Sequence, residues 1–214
     1  MKDFRIMKSW LFVFVSAVSL FPAYCLGCPE VDGDIIAESD EHQREMATVL
    51  HSDIRDAIIK KMENIVDNDT SRLQEIFKDI HQNPELGFME TRTSAIVAKE
   101  LKELGYKVIT GIAKTGVVVI LENGDGPTFM FRADMDANSV EEDTGLPYSS
   151  KVRVTNLDGI ETPVGHLCGH DAHTTWLISL AKTMKEMQDD WSGTLVLLAQ
   201  PAEEPIEGAM AMVA

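Results

Sequence analysis

Residues 165–173 concentrate side chains that bind metals. This stretch holds three of the six histidines of the chain and one of its three cysteines, and Glu203 and Glu204 follow an apolar run further along. Thiolate, imidazole and carboxylate groups are the usual protein ligands of first-row divalent cations. Because one glycine separates Cys168 from His170, a tight turn can aim both side chains at a common point or at two neighbouring ions. The pattern therefore predicts a metal site.

The adjacent carboxylates indicate what such a site could do. On a regular strand Glu203 and Glu204 would point to opposite faces, but that restriction ends where the strand ends. One carboxylate can then bind a metal while the other accepts a proton from water. Two ions about 3.5–4 Å apart can hold an attacking hydroxide and the carbonyl oxygen of a substrate. This combination favours hydrolysis of an amide.

Several nearby polar residues have two interpretations each. His166 and His173 either bind a metal or support its ligands through hydrogen bonds. Asp171 belongs either to the site or to the start of the following helix as its N-cap. Asp134 and Asp136 flank one residue and share an orientation. They either orient a metal ligand or serve a turn and pair with the arginine that precedes them.

Helices and buried strands alternate along the chain, and they must position these side chains. Apolar residues at helical spacing predict helices at residues 54–66, 71–80 and 91–104 and a long helix that begins near residue 171. A polar break at residues 67–70 is expected to separate the first two helices. Continuous apolar runs predict strands at residues 117–121, 128–132 and 194–199, with an edge strand at 151–155.

This alternation predicts a layered α/β fold. In such sheets, binding sites form at the carboxyl ends of the strands. Asp134 and Asp136 follow one predicted strand, and Glu203 and Glu204 follow another. The sequence therefore predicts that both carboxylate pairs lie at one edge of the sheet.

Composition limits the partners of the protein. The formal net charge of −16 and the absence of clustered Lys and Arg argue against a nucleic-acid partner, which requires basic patches for phosphate binding. The first residues have the order of a secretory signal, in which basic residues precede a short apolar run and small residues follow. We expect residues 1–27 to be a signal peptide, residues 28–53 to be a linker that is acidic and irregular as far as about residue 43, and the protein to be exported to the periplasm or the medium. A membrane or lipid anchor is the alternative.

Five ordered motifs resemble those of a known family. They are HQNPELG at residues 81–87, RADMDA at 132–137, TGLPY at 144–148, HLCGHDAH at 166–173 and QPAEE at 200–204. The set is similar to the successive motifs of the metal-dependent amidohydrolases that include hippurate hydrolase, N-acyl-amino-acid hydrolases and plant auxin-conjugate hydrolases. The resemblance runs from about residue 54 to the last residue. Asn138 and Ser139 depart from it, since the family has Leu-Pro at these positions.

The resemblance implies a three-layer α/β/α catalytic domain of the zinc-peptidase type with two divalent ions, Zn or Mn. It implies Cys168, His170 and Glu204 as metal ligands and Glu203 as the general base. We group Asp136 with Glu203 as a catalytic residue that orients a ligand. The remaining histidine ligands of the family, and its lid or dimerisation domain, lie downstream of the QPAEE motif. Residues 54–214 are therefore expected to form the N-terminal part of the catalytic domain.

Two functions follow as expectations. The first is an exported amidohydrolase that cleaves the amide bond of N-acyl amino acids or similar small conjugates, with a homodimer as an expected form of the whole protein. The second is an inactive fragment or a metal-binding module that lacks the C-terminal ligands. A structural zinc site fits less well, because such sites usually close with four Cys or His ligands.

Overall fold

The computed structural model describes residues 37–214, with side chains from residue 52 onward. The predicted signal peptide and residues 28–36 of the predicted linker lie outside this part. The chain divides into two units at residues 64 and 65. The described portion of the first unit is helical, and the site lies in the second unit, residues 65–214. Within the described part of the chain, no helix combines the length and apolar character needed to cross a membrane.

The first helix, α1, is a single long element, Ala37–Gln82. Two expectations were wrong here: residues 37–43 are helical rather than irregular, and the helix is not broken at residues 67–70. The physical reason is that α1 contains neither glycine nor proline, so no residue in it disrupts the helical hydrogen bonds.

The polar residues of the expected break find partners without interrupting the helix. The hydroxyl of Thr70 donates to the carbonyl of Val66 at 2.8 Å. Buried Asp69 forms ion pairs with Arg72 at 2.6 Å and with Lys182 at 2.9 Å. These residues therefore stabilise the packing of α1 instead of ending it.

The remaining elements follow in the order expected for an α/β fold. They are α2 (Thr91–Glu103), β1 (Val108–Ile112), β2 (Gly116–Asn123), β3 (Thr128–Asp134), β4 (Arg153–Thr155), β5 (Glu161–Pro163), α3 (His170–Glu186), a 3₁₀ turn (Gln188–Asp190), β6 (Gly193–Gln200) and α4 (Gly208–Val213). The predicted helices and strands after α1 are confirmed. Strand β1 was not predicted, because its side chains are mostly exposed and form no continuous apolar run.

The main sheet has the strand order β1-β2-β6-β3 and is mixed. Strands β3 and β6 are parallel neighbours, whereas β1 and β2, and β2 and β6, are antiparallel. In the β3–β6 pair, Asp134 lies opposite Gln200. Both strands therefore end at the same edge, and the residues that follow them leave the sheet side by side. Strands β4 and β5 form a separate hairpin.

The hydrophobic core lies on one face of the main sheet. In β6, Leu195 and Leu197 are buried on this face, and Leu198 is half-buried on the other. Residues of α1, α2 and α3 complete the core, among them Leu73, Val97, Leu101, Leu177 and Ile178. The predicted α/β class is confirmed, with a mixed main sheet and three helices packed on one of its faces.

The two faces of β6 give a test of this packing. Leu195→Ala is expected to lower the free energy of unfolding by about 2–5 kcal/mol, because Leu195 has no exposed surface and its removal leaves a cavity. Leu198→Ala in the same strand should cost clearly less. Urea unfolding of both variants measures the difference, and equal losses would contradict the assignment of the core to one face.

Candidate metal centre

The parallel strands β3 and β6 bring the two carboxylate-bearing stretches together. Beyond the last strand pair, the amide of Met135 donates to the carbonyl of Gln200 at 3.0 Å. Residues 135–136 and 201–204 then continue side by side past the sheet edge. The expectation that both carboxylate pairs lie at one edge is met.

Asp136 is fully buried at this edge and holds three groups of the site. Its Oδ1 accepts a hydrogen bond from the amide of Glu203 at 3.0 Å, and its Oδ2 accepts one from the amide of Glu204 at 2.9 Å. Its main-chain carbonyl accepts a hydrogen bond from Nδ1 of His170 at 2.8 Å. Burial favours a raised pKa for Asp136, but the interaction with His170 and the two amides outweighs burial, and the pKa is lowered. Asp136 is therefore an anion that fixes the backbone of both glutamates.

The same contacts fix the orientation of His170. A carbonyl oxygen can only accept, so Nδ1 carries the proton and Nε2 is the nitrogen that can bind a cation. Nε2 lies 3.6 Å from the carboxylate of Glu203 and 3.8 Å from that of Glu204. Burial lowers the pKa of His170, but Asp136 outweighs this effect and raises the pKa to about 9. Binding of a cation to Nε2 therefore requires release of the proton that this nitrogen carries below that pKa.

Cys168, His170 and Glu204 form a group suited to a divalent cation. One ligand atom from each lies within 4.8 Å of the others. Oε1 of Glu204 is buried and has no hydrogen-bond partner among the described residues. Such an atom is costly unless a partner compensates its lost hydration, and a cation would provide this compensation. Burial raises the pKa of the Cys168 thiol, as do the neighbouring carboxylates, so binding of a cation to the thiolate requires release of a proton.

A second group of possible ligands, Asp134, His170 and His173, satisfies the same distance limit. Here, however, Asp134 already forms an ion pair with Arg132, which also donates to Oε1 of Gln200 at 2.8 Å. The arginine neutralises this carboxylate, whereas Glu204 forms no ion pair with an Arg or Lys of the described residues. The group around Cys168 is therefore the better cation site. Of the two roles open for the aspartates, Asp134 pairs with the arginine and Asp136 orients His170.

The other polar residues of the His-rich motif have different positions. The N-cap of α3 is Gly169, with φ +88°, so the interpretation of Asp171 as the N-cap was wrong. The glycine is needed because the chain turns there from Cys168 into the helix. His173 stacks on His170 with ring centroids 5.4 Å apart. His166 is buried with no hydrogen-bond partner for either nitrogen in the described structure, and burial lowers its pKa to about 4.

A buried network next to the site was not recognised from the sequence. Nδ1 of His81 lies 2.6 Å from Oδ2 of Asp171, and its Nε2 lies 3.2 Å from Oε1 of Glu142. His81 and Asp171 belong to two of the five motifs, which is the one sequence signal that could have identified them. Nothing in the sequence indicated that they pair. This network connects the end of α1 to the first turn of α3.

The protein therefore has an α/β fold with a candidate metal centre beside the carboxyl ends of β3 and β6. Residues 130–214 match peptidase family M20/M25/M40. The chain is 45% identical over 141 residues to hippurate hydrolase of Campylobacter jejuni and 41% identical over 138 residues to an IAA-amino acid hydrolase of Arabidopsis thaliana. These matches cover 65% and 64% of this chain but 34% and 30% of the relatives.

A solved structure with a similar fold also belongs to the M20 family. A dinuclear metal-binding peptidase from the M20 family of Bacillus subtilis matches with a TM-score of 0.59 and 34% sequence identity, over 67% of this chain and 38% of that one. The family resemblance drawn from the motifs is confirmed, and the match to the family model covers residues 130–214. The chain spans about a third of the length of these relatives.

The His81 network predicts a pH-dependent contribution to stability. Hydrogen bonding to Asp171, aided by Glu142, raises the pKa of His81 above its ordinary value of 6.5 despite burial. The stabilisation is therefore complete below pH 6.5 and is lost as the pH rises through the raised pKa. His81→Gln should lower the free energy of unfolding by about 3 kcal/mol at pH 6, and by less at pH 9.

Chemical unfolding at the two pH values measures this difference. Lys78→Gln in the same helix is the matched control, because Lys78 forms only an exposed ion pair with Glu75. The control should cost little at either pH. A cost of His81→Gln that does not change with pH would contradict the proposed linkage.

The loop that carries the two glutamates has a steric requirement at Gly208. Its amide donates to the carbonyl of Ala202 at 2.9 Å, and a Cβ at this position would overlap the carbonyl of Pro201. Gly208→Ala is therefore expected to displace the loop and weaken zinc binding at least about 10-fold. Gly159→Ala is the control: φ at Gly159 is +81°, and nothing lies within 4 Å of the added Cβ. It should cost about 1 kcal/mol in stability and leave zinc affinity unchanged. Equal zinc affinities in the two variants would contradict the requirement.

Proposed function

We propose that the protein is a metal-dependent amidohydrolase that cleaves the amide bond of N-acyl amino acids or similar small conjugates. One observation carries the proposal: the unpartnered buried Oε1 of Glu204 lies in a group with Cys168 and His170, directly beside Glu203. Three possible ligands with a spare carboxylate beside them have the composition of a hydrolytic centre rather than a structural one.

The proposed cofactors are two divalent ions, Zn or Mn. Cys168, His170 and Glu204 would hold one of them and contribute to the dinuclear centre, as the likeness to a dinuclear metal-binding peptidase supports. When bound, such ions activate water and polarise the carbonyl group of the substrate. Asp136 would keep the histidine ring and both glutamates in place through the three hydrogen bonds described above.

Glu203 is the proposed general base. Its side chain is 41% exposed, so water and substrate can reach it, whereas the side chain of Glu204 is 27% exposed and turns one oxygen inward. The carboxylate of Glu203 would accept a proton from water and return it to the leaving amine. Because Asp136 holds its amide, the side chain starts from a fixed point of the backbone.

The substrate class rests on the relatives. Hippurate hydrolase and IAA-amino acid hydrolase are named for amides between an acyl group and an amino acid. We propose the same class of substrate for this protein. The acidic overall charge supports a small-molecule substrate over a nucleic acid.

A second candidate function is metal binding without turnover. It is favoured by the group described here, which supplies three possible ligands to a single cation. Zinc binding in the absence of hydrolysis of any N-acyl amino acid would support this function over the first.

We also propose export of the protein and a homodimer as its assembled form. The order of basic, apolar and small residues in positions 1–27 supports export. N-terminal sequencing of the secreted protein should then start near residue 28, and light scattering should give twice the mass of the mature chain. An intact N-terminus would overturn the signal peptide, and a monomer would overturn the dimer.

The general base can be tested by Glu203→Gln. The amide keeps the size of the side chain but cannot accept the proton, so kcat on N-benzoyl and N-acetyl amino acids should fall at least about 100-fold, while zinc content stays unchanged. Glu207→Gln, an exposed carboxylate in the same loop, is the control and should keep full activity. If Glu203→Gln is as active as the control, Glu203 is not the base.

A further inference from the structure

Three consecutive amides of the loop that carries Glu203 and Glu204 donate to buried carboxylates. The amides of Glu203 and Glu204 donate to Asp136, and the amide of Ala202 donates to Oε1 of Glu90 at 2.8 Å. Such a run of converging amides forms an anion-binding concavity. In this loop, the carboxylates of Glu90 and Asp136 fill the concavity. The main chain of residues 202–204 is therefore held by side chains from other parts of the fold.

Glu90 is itself buried and fixed by hydrogen bonds. It has no exposed surface, and it accepts hydrogen bonds from the amide of Phe88 at 3.0 Å and from the hydroxyl of Thr115 at 2.6 Å. No Lys or Arg in the described part of the chain forms an ion pair with it. A carboxylate buried without a cation is costly, and burial raises its pKa.

The conformation of Ala202 shows why the loop needs such an anchor. Ala202 has φ +50°, a backbone conformation that a residue with a Cβ adopts only when its surroundings impose it. Gly87 packs against the same residue: a Cβ at Gly87 would lie 3.1 Å from Cα of Ala202. Gly87 and Glu90 therefore both contact the backbone of Ala202, and Asp136 holds the next two amides.

From this geometry we infer that Glu90 is a positioning residue for Glu203 and Glu204, acting through the amide of Ala202. This inference rests on the proposed function for its consequence in catalysis, but its structural part concerns only the loop. Loss of the Glu90 carboxylate releases Ala202 from its left-handed conformation and moves the start of the Glu203–Glu204 pair. The ligand oxygen of Glu204 and the base Glu203 then lose their common alignment with His170.

Two substitutions separate hydrogen bonding from charge. In Glu90→Gln, the amide oxygen can accept from Ala202 and Phe88 while its NH₂ group donates to the hydroxyl of Thr115, so every contact is kept. Glu90→Ala removes them all. Zinc affinity, measured by competition titration of the whole protein, should fall about 10–100-fold in Glu90→Ala and stay within about threefold of wild type in Glu90→Gln.

A purely structural role is tested with a matched destabilised variant. Leu195→Ala weakens the core without touching the loop, and its zinc affinity should equal that of wild type at a temperature where all variants are folded. If Glu90→Ala binds zinc as tightly as Leu195→Ala, or if Glu90→Gln is as weak as Glu90→Ala, the inference is wrong.

Hydrogen exchange provides a readout that needs neither metal nor substrate. The amides of residues 202–204 should exchange at least about 10-fold faster in Glu90→Ala than in wild type and remain protected in Glu90→Gln. Unchanged protection in Glu90→Ala would overturn the inference. Failure of the wild-type protein to hydrolyse N-acyl amino acids would overturn the proposed function but leave this result intact, so the two failures are distinguishable.

Discussion

The buried carboxylate of Asp136 is the constraint on which the candidate centre depends. It joins the ends of two parallel strands, because it lies just after β3 and binds the amides that follow β6. Its carbonyl adds His170, the first residue of α3. Desolvation of an isolated carboxylate would be prohibitive, but charge-assisted hydrogen bonds to both oxygens offset it. The side chain and the main-chain carbonyl of this one residue thus fix His170 and the two glutamates relative to each other.

Residues 81–90, from the end of α1 to the start of α2, also hold the elements of the site in place. His81 pairs with Asp171 at the start of α3. Glu85 accepts hydrogen bonds from the amides of Arg92 and Thr93 at 2.9 and 2.7 Å, which satisfies free N–H groups at the start of α2. Gly87 and Glu90 contact Ala202. Residues 81–90 contain none of the proposed ligands and nevertheless contact the elements that carry them.

The sheet separates the hydrophobic and chemical parts of the molecule. In β6, Leu195, Leu197 and Ala199 lie in the core, and Gln200 is the last residue before the loop that carries the glutamates. Because β6 is central in the described sheet, neighbours on both sides hold this strand. The loop that carries the glutamates is therefore attached to a rigid strand. Only a few of its residues must be fixed by contacts of the loop itself.

The sequence by itself determined the residue types of the centre and their placement at strand ends. Cys168 and His170 are close in the chain, and strand ends are marked by local apolar runs, so local patterns were sufficient. The motif resemblance supplied the family and the proposed role of Glu203. The tertiary structure decided how the polar residues divide their work: Asp136 holds the amides of both glutamates, and its carbonyl orients the histidine.

Local patterns failed where the deciding partner is distant in the chain. The polar residues 67–70 suggested a break in α1, but Asp69 among them is buried and pairs with Lys182 of α3. Asp171 is bound to His81, ninety residues away, rather than acting as a helix cap. Glu90 meets Ala202 only when the loop after β6 has folded against residues 87–90. A single sequence specifies which groups must be satisfied when buried, but only the folded chain determines which partner satisfies each of them.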